Sequence, residues 1–84
     1  MKQIHIDFKG HTTDCNAEVE IEGMADSWTA VAKVTGHPSI RELNILYRLG
    51  EFLRPMFASS ENLTFFSPLL AAIEREAVLI LPRE

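Results

Sequence analysis

The chain has 84 residues, of which 46% are hydrophobic and 24% are charged, and its net charge is −4 at pH 7. This length suits a single domain over residues 1–84, and the apolar fraction is that of a globular protein, not a disordered one. The acidic balance argues against general binding to nucleic acid or to an anionic membrane, because both require clustered Lys and Arg.

The single cysteine, Cys15, excludes an intrachain disulfide and favours a reducing compartment. Charged residues near the N-terminus stand where a signal peptide needs an apolar core. No stretch approaches the roughly 18–20 apolar residues of a membrane span. The sequence therefore predicts a cytoplasmic protein without a membrane partner.

Alternation of apolar and polar residues predicts three strands in the first part of the chain, since a period of two is typical of half-buried strands. The predicted strands are Lys2 to Lys9, Asn16 to Gly23 and Trp28 to Thr35. The segment from Gly10 to Cys15 is rich in Gly, Thr and Asp and is predicted to be a turn.

The apolar side chains of neighbouring strands must share one face, and this requirement fixes the register of the second hairpin. It pairs Ile21 with Ala30 and Val19 with Ala32. The same register places Glu18 opposite Lys33, a favourable cross-strand pair.

The segment from Ser39 to Phe57 is predicted to be one amphipathic helix. Ser39 is a good N-cap, Glu42 completes a capping box, and Pro55 ends or kinks the helix after about Arg54. At helical spacing its apolar residues cover about twice the usual stripe. One flank holds Leu43, Leu46, Gly50, Leu53 and Phe57, and the other holds Ile45, Leu49, Phe52 and Met56.

The rest of the chain is predicted to be a loop from Ala58 to Thr64 and a second helix that starts at Ser67-Pro68. The apolar run from Val78 to Leu81 fits either a buried strand or the last turn of that helix, and β-branching favours the strand. The predicted fold class is α+β. It has an antiparallel three-stranded meander, a candidate fourth strand at the C-terminus, and two helices packed on one face.

Three glutamates, Glu18, Glu20 and Glu22, alternate along the second strand and are predicted to form an acidic docking face for a partner protein with a basic surface. The alternative is a solvated sheet face that only keeps the protein soluble. Catalytic or metal-binding carboxylates would need partner residues that the sequence does not suggest.

The excess of apolar side chains in the predicted long helix indicates a surface for self-association. That surface is predicted to comprise Ile45, Leu49, Phe52, Met56, Phe65 and Phe66. A different protein partner, or complete cover within the chain by the second helix, are the alternatives. The preferred interpretation is a homodimer through the long helix.

His11, Asp14 and Cys15 suggest neither a zinc site nor a nucleophile, because no second cysteine and no orienting third group are present. No metal, cofactor or catalytic residue is predicted. The polar stripe with Arg41, Asn44 and Arg48 permits an alternative in which the long helix reads DNA. The sequence matches no family motif, and the preferred interpretation is a non-enzymatic, protein-binding regulator or inhibitor.

Overall fold

A computed structural model describes residues 1–83 as a five-stranded antiparallel sheet followed by one helix. Neighbours in the chain are neighbours in the sheet, so the fold is a meander of the α+β class. The predicted combination of three strands and two helices is therefore wrong. The elements are β1 Lys2–Gly10, β2 Thr13–Met24, β3 Ser27–Thr35, β4 Glu42–Arg48, β5 Glu51–Arg54 and α1 Ser60–Ile80.

The first three strands agree with the period-two pattern. Ile21 pairs with Ala30, Val19 with Ala32 and Glu18 with Lys33, so the predicted register is confirmed. The first turn is shorter than predicted, because β1 and β2 extend to a two-residue turn after Gly10. Long, regular hairpins form here because the apolar set stays on one face along the full length of each strand.

The predicted helix from Ser39 to Phe57 is absent, and β4 and β5 occupy this segment as a hairpin. Leu43, Ile45 and Tyr47 are buried and alternate with outward side chains, which is a strand period. The chain reverses at Leu49 and Gly50, both of which have positive φ angles of 48° and 90°. Positive φ at both central residues is the geometry of the tight hairpin turns that match strand twist.

The only helix in residues 1–83 begins earlier than predicted and ends later. Ser59 is its N-cap, and the Ser59 side chain accepts a 3.2 Å hydrogen bond from the backbone N–H of Asn62. Pro68 lies inside the helix instead of at its first position, and Val78–Ile80 form the last turn instead of a strand. Within residues 1–83, no helix is both long and apolar enough to cross a membrane.

The helix packs on one side of the sheet, which we call the covered face. The opposite side of the sheet we call the open face. The covered face and the helix share a core in which Trp28, Phe66, Ile21, Leu69, Ile73 and Val19 are the largest fully buried side chains. The small side chains of Ala17, Ala30 and Ala32 belong to the same buried core. Outward side chains of the sheet thus remain free to meet another molecule.

Candidate functional site

The open face is the candidate functional site, because no other element of residues 1–83 packs on that side of the sheet. Strand pairing arranges its side chains in rows that run across the strands. One row reads Gln3, Glu20, Val31 and Asn44, the next reads His5, Glu18, Lys33 and Glu42, and a third reads Glu22, Thr29, Leu46 and Arg54. The register therefore fixes which charges are neighbours.

The three glutamates that were predicted to form a docking face are all exposed and lie on the open face of β2. Their spacing along the strand is about 6.8 Å, two residues of an antiparallel strand. Sequence alone placed these three side chains correctly, because they alternate with the buried Val19 and Ile21.

His5 compensates the charge of Glu18 from the neighbouring strand. Its Nδ1 is hydrogen-bonded to the Glu18 carboxylate, and its Nε2 lies 3.0 Å from Asp7 Oδ1. The hydrogen bond with Glu18, followed by the one with Asp7, raises the pKa of His5 above its ordinary value of 6.5. The imidazolium is the form that donates to both carboxylates, so its charge offsets part of the negative charge at this corner of the open face.

Glu20 and Glu22 differ from Glu18 in their surroundings. Glu20 lies opposite Gln3 and Val31, and Glu22 lies opposite Thr29. The ion pairs within residues 1–83 join His5 to Asp7, His5 to Glu18 and Lys9 to Asp14, and none includes Glu20 or Glu22. These two carboxylates therefore present their negative charge to solvent or to a partner.

A shallow groove of about 310 Å³ crosses the open face beside these carboxylates. Glu20 and Glu22 line it from β2, and Arg54 lines it from β5. Val31 and Leu46, both half-buried, contribute apolar surface between these charges. The groove thus combines an apolar floor with charges of opposite sign on its two sides.

Arg54 and Leu46 are site residues that the sequence analysis missed, because it placed both on a helix. A register shift between Leu46 and Tyr47 leaves Leu53 as an extra residue in β5 and sets Arg54 opposite Leu46. The available signal was that apolar Leu43, Ile45 and Tyr47 occupy every second position, with the polar residues Glu42, Asn44 and Arg48 among those between and around them. Under a period of two, that alternation would have placed Leu46 on the open face.

The six residues predicted for self-association do not share one surface. Ile45, Phe65 and Phe66 are buried in the core, and Phe52 is half-buried against Trp28 and Tyr47. Leu49 and Met56 are 76% and 89% exposed, but Leu49 lies at the β4–β5 turn and Met56 in the segment after β5. The helix flank that connected them does not exist, because a hairpin distributes these side chains differently.

The polar stripe that suggested DNA reading is also dispersed. Asn44 and Arg48 are outward residues of β4, and Arg41 precedes that strand. They lie on a sheet instead of a helix, so they cannot enter a major groove in the way that a recognition helix does. The structure thus removes the helix on which the nucleic-acid alternative depended.

Cys15 was predicted to lie in a turn, and this prediction is wrong, because it belongs to β2. It is 5% exposed, because it pairs with Phe8 and continues the inward set of β2. Its thiol donates a 3.5 Å hydrogen bond to the Thr13 carbonyl. Within residues 1–83, no three His, Cys, Asp or Glu side chains converge in a way that could hold a metal ion.

His37 has a structural position that the sequence did not indicate. Its Nδ1 accepts hydrogen bonds from the backbone N–H groups of Ser39, at 3.0 Å, and Ile40, at 2.8 Å. Its Nε2 lies 3.2 Å from the Asn62 side-chain oxygen, so Nε2 carries the proton. The ring stacks on Phe66 with centroids 5.2 Å apart, and it connects the β3–β4 loop to the helix.

Tyr47 is the other titratable group with a distinct environment. A hydrogen bond with Glu74 of the helix, together with burial, raises the pKa of Tyr47 above its ordinary value of 10.0. Its ring stacks on Trp28 with centroids 4.9 Å apart. This group belongs to the contact between the sheet and the helix, and it faces away from the open face.

Comparisons with known proteins gave no match to any family model, curated protein or solved structure.

Proposed function

We propose that this chain is a non-enzymatic protein-binding module, a small acidic regulator or inhibitor, that docks through its open face on a partner with a basic surface. The observation that carries this proposal is the exposed pair Glu20 and Glu22, which lies beside an apolar groove and makes no ion pair within residues 1–83. Charges held in this way can be used by a partner without first breaking an internal pair.

The two components of the open face support different aspects of binding. The carboxylates would steer a basic partner and fix its orientation, because complementary charge mainly sets association rate and specificity. The apolar floor at Val31 and Leu46 would supply contact area that excludes water, as interface centres do. The overall charge of −4 adds to the attraction for a basic surface.

The test is a comparison of two double variants in protein capture from the native cell. Glu20→Gln with Glu22→Gln should lose a specific captured protein, and the loss should follow a reduced association rate with the isolated partner. The matched control is Glu61→Gln with Glu76→Gln, which removes the same charge from the helix, on the other side of the sheet.

Binding that survives in the open-face variant would contradict the proposal, and so would equal loss in the control. The captured partner should carry a basic surface, and its association with the wild-type chain should weaken as salt is raised. The nucleic-acid alternative is not carried forward, because no observation on the open face favours it over a basic protein.

A further inference from the structure

We infer that two copies of this chain meet through their open faces, about a twofold axis that runs parallel to the strands, between β3 and β4. This inference goes beyond the proposed function, because it assigns the open face to a second copy of this acidic chain and not to a partner with a basic surface. It differs from the earlier expectation of a helix-mediated dimer. The strand register places opposite charges where a second copy can meet them.

A rotation of 180° about such an axis brings the open face of one copy onto the open face of the second. It keeps each residue at the same position along the strand direction and exchanges the two sides of the sheet. Each row of side chains therefore faces the same row of the second copy in reverse order. Residues at equal distances on either side of the axis therefore become neighbours across the interface. This self-complementary arrangement is what a twofold interface requires.

The row Glu22, Thr29, Leu46 and Arg54 has opposite charges at its two ends. Glu22 on β2 and Arg54 on β5 each lie one and a half strand spacings from the axis, so they are about 14 Å apart within one chain. That separation prevents an internal ion pair. In the twofold arrangement, Glu22 of each copy lies opposite Arg54 of the other copy.

A second row follows the same rule. Lys33 on β3 and Glu42 on β4 pair directly across the axis within one chain. Turning the sheet over places Lys33 of one copy opposite Glu42 of the other. Both residues are exposed, so their charged groups can make this contact without rearrangement of the core. The same twofold axis thus brings opposite charges together in two separate rows.

Between these charged rows lies the row with Val31 and Asn44, and Thr29 and Leu46 adjoin it. Val31 and Leu46 are half-buried and supply the apolar centre, which the groove of about 310 Å³ shows to be incompletely covered in one chain. Packed sheets keep their strand directions within about 30° of each other, so strands that run parallel to the shared axis are compatible with this packing and keep the facing rows aligned. The contact is mostly polar, so it should be weak and sensitive to salt.

The test uses charge reversal and rescue, followed by sedimentation equilibrium at low salt. Arg54→Glu and Glu22→Arg should each weaken self-association at least about tenfold, because each change creates two like-charge contacts in a twofold dimer. The variant that combines both reversals should recover most of the wild-type affinity. Arg75→Glu is the matched control, since it makes the same charge change on the exposed surface of the helix.

A second pair keeps the inference testable if a change at Arg54 disturbs the fold, which circular dichroism would show. Lys33→Glu should weaken the dimer, and addition of Glu42→Lys should restore it. A wild-type chain that stays monomeric at all concentrations and low salt would overturn the inference, as would a double reversal without recovery at either pair. If the dimer fails these tests but the Glu20 and Glu22 variant still loses partner capture, the proposed function remains supported. Failure of the dimer and failure of the proposed function are therefore distinguishable.

Discussion

The two faces of the sheet use the same strands for different purposes. On the covered face, large apolar side chains and small alanines fit against the helix, and the core contains no buried polar or charged residue among residues 1–83. On the open face, charged and amide side chains form rows with an apolar groove at their centre. One residue step along a strand separates the two environments.

This contrast indicates how the protein divides stability from recognition. Substitutions on the covered face should change the free energy of unfolding, and they should affect association only when they unfold the protein. Substitutions on the open face should change association and leave unfolding nearly unaffected, because exposed charges contribute little to stability.

The largest expected effect is at Phe66, which is fully buried between sheet and helix. Its ring stacks on Phe57 with centroids 5.5 Å apart and contacts Phe8 and Phe65. Phe66→Ala should lower the free energy of unfolding by about 3–5 kcal/mol, because truncation of a buried aromatic ring leaves a cavity. A chain of this size has roughly 4–13 kcal/mol in total, so the variant should be marginally folded.

Urea denaturation followed by circular dichroism measures this effect. Leu79→Ala is the matched control on the same helix, since Leu79 is 77% exposed and should change stability by no more than about 0.5 kcal/mol. A loss at Phe66 no larger than the loss at Leu79 would show that the covered face is not the stabilising one.

An intermediate effect is expected at Cys15, which the sequence placed in a turn and the structure places in the core. Its side chain is 5% exposed, and a Cβ placed on Gly36 would lie 2.7 Å from its sulfur. Cys15→Ser should destabilise the protein by about 1–3 kcal/mol, because a more polar group is placed in an apolar site.

Cys15→Ala provides the comparison for Cys15→Ser, as it shortens the side chain without adding a polar atom. The reactivity of the thiol toward a small alkylating reagent gives a second measurement, and it should rise only when urea opens the fold. Rapid alkylation of the native protein, together with unchanged stability of the Ser variant, would show that the Cys15 side chain is accessible to solvent.

Sequence predicted the fold correctly where the apolar pattern of a segment fitted only a strand, and it failed where the pattern fitted both a strand and a helix. In β2 and β3, alternation with β-branched residues admitted only the strand, and the register followed from the shared apolar face. Between Ser39 and Phe57, the apolar residues satisfied both a helix and a hairpin. The helical interpretation needed an apolar stripe twice the usual width, and that excess disappears when Leu43, Ile45 and Tyr47 turn inward as a strand.

The turn signals also failed at particular residues. Leu49-Gly50 forms the β4–β5 turn, although Asn or Asp is the usual first residue in such turns. Pro68 was interpreted as the first residue of a helix, but it lies in the third turn of α1, which Ser59 caps. The acidic half of the open face could be predicted from β2 alone, whereas Arg54 and Leu46 required the correct hairpin.

The smallest expected effect is at His5, on the edge of the open face, and it appears as a pH dependence. Hydrogen bonds with Glu18 and then Asp7 raise the folded-state pKa of His5 above its ordinary value of 6.5. The stability gained from this imidazolium is therefore fully present below pH 6.5 and is lost as the pH rises through the raised folded-state value. The contribution is small because both partners are exposed to solvent.

Titration of the His5 ring by NMR should show the raised pKa in the wild-type chain and a lower one in Glu18→Gln, whereas Glu61→Gln on the helix should leave it unchanged. A wild-type His5 that titrates at its ordinary value would show that the open face does not hold Glu18 against the ring, and Glu18 would then join Glu20 and Glu22 as a carboxylate available to a partner.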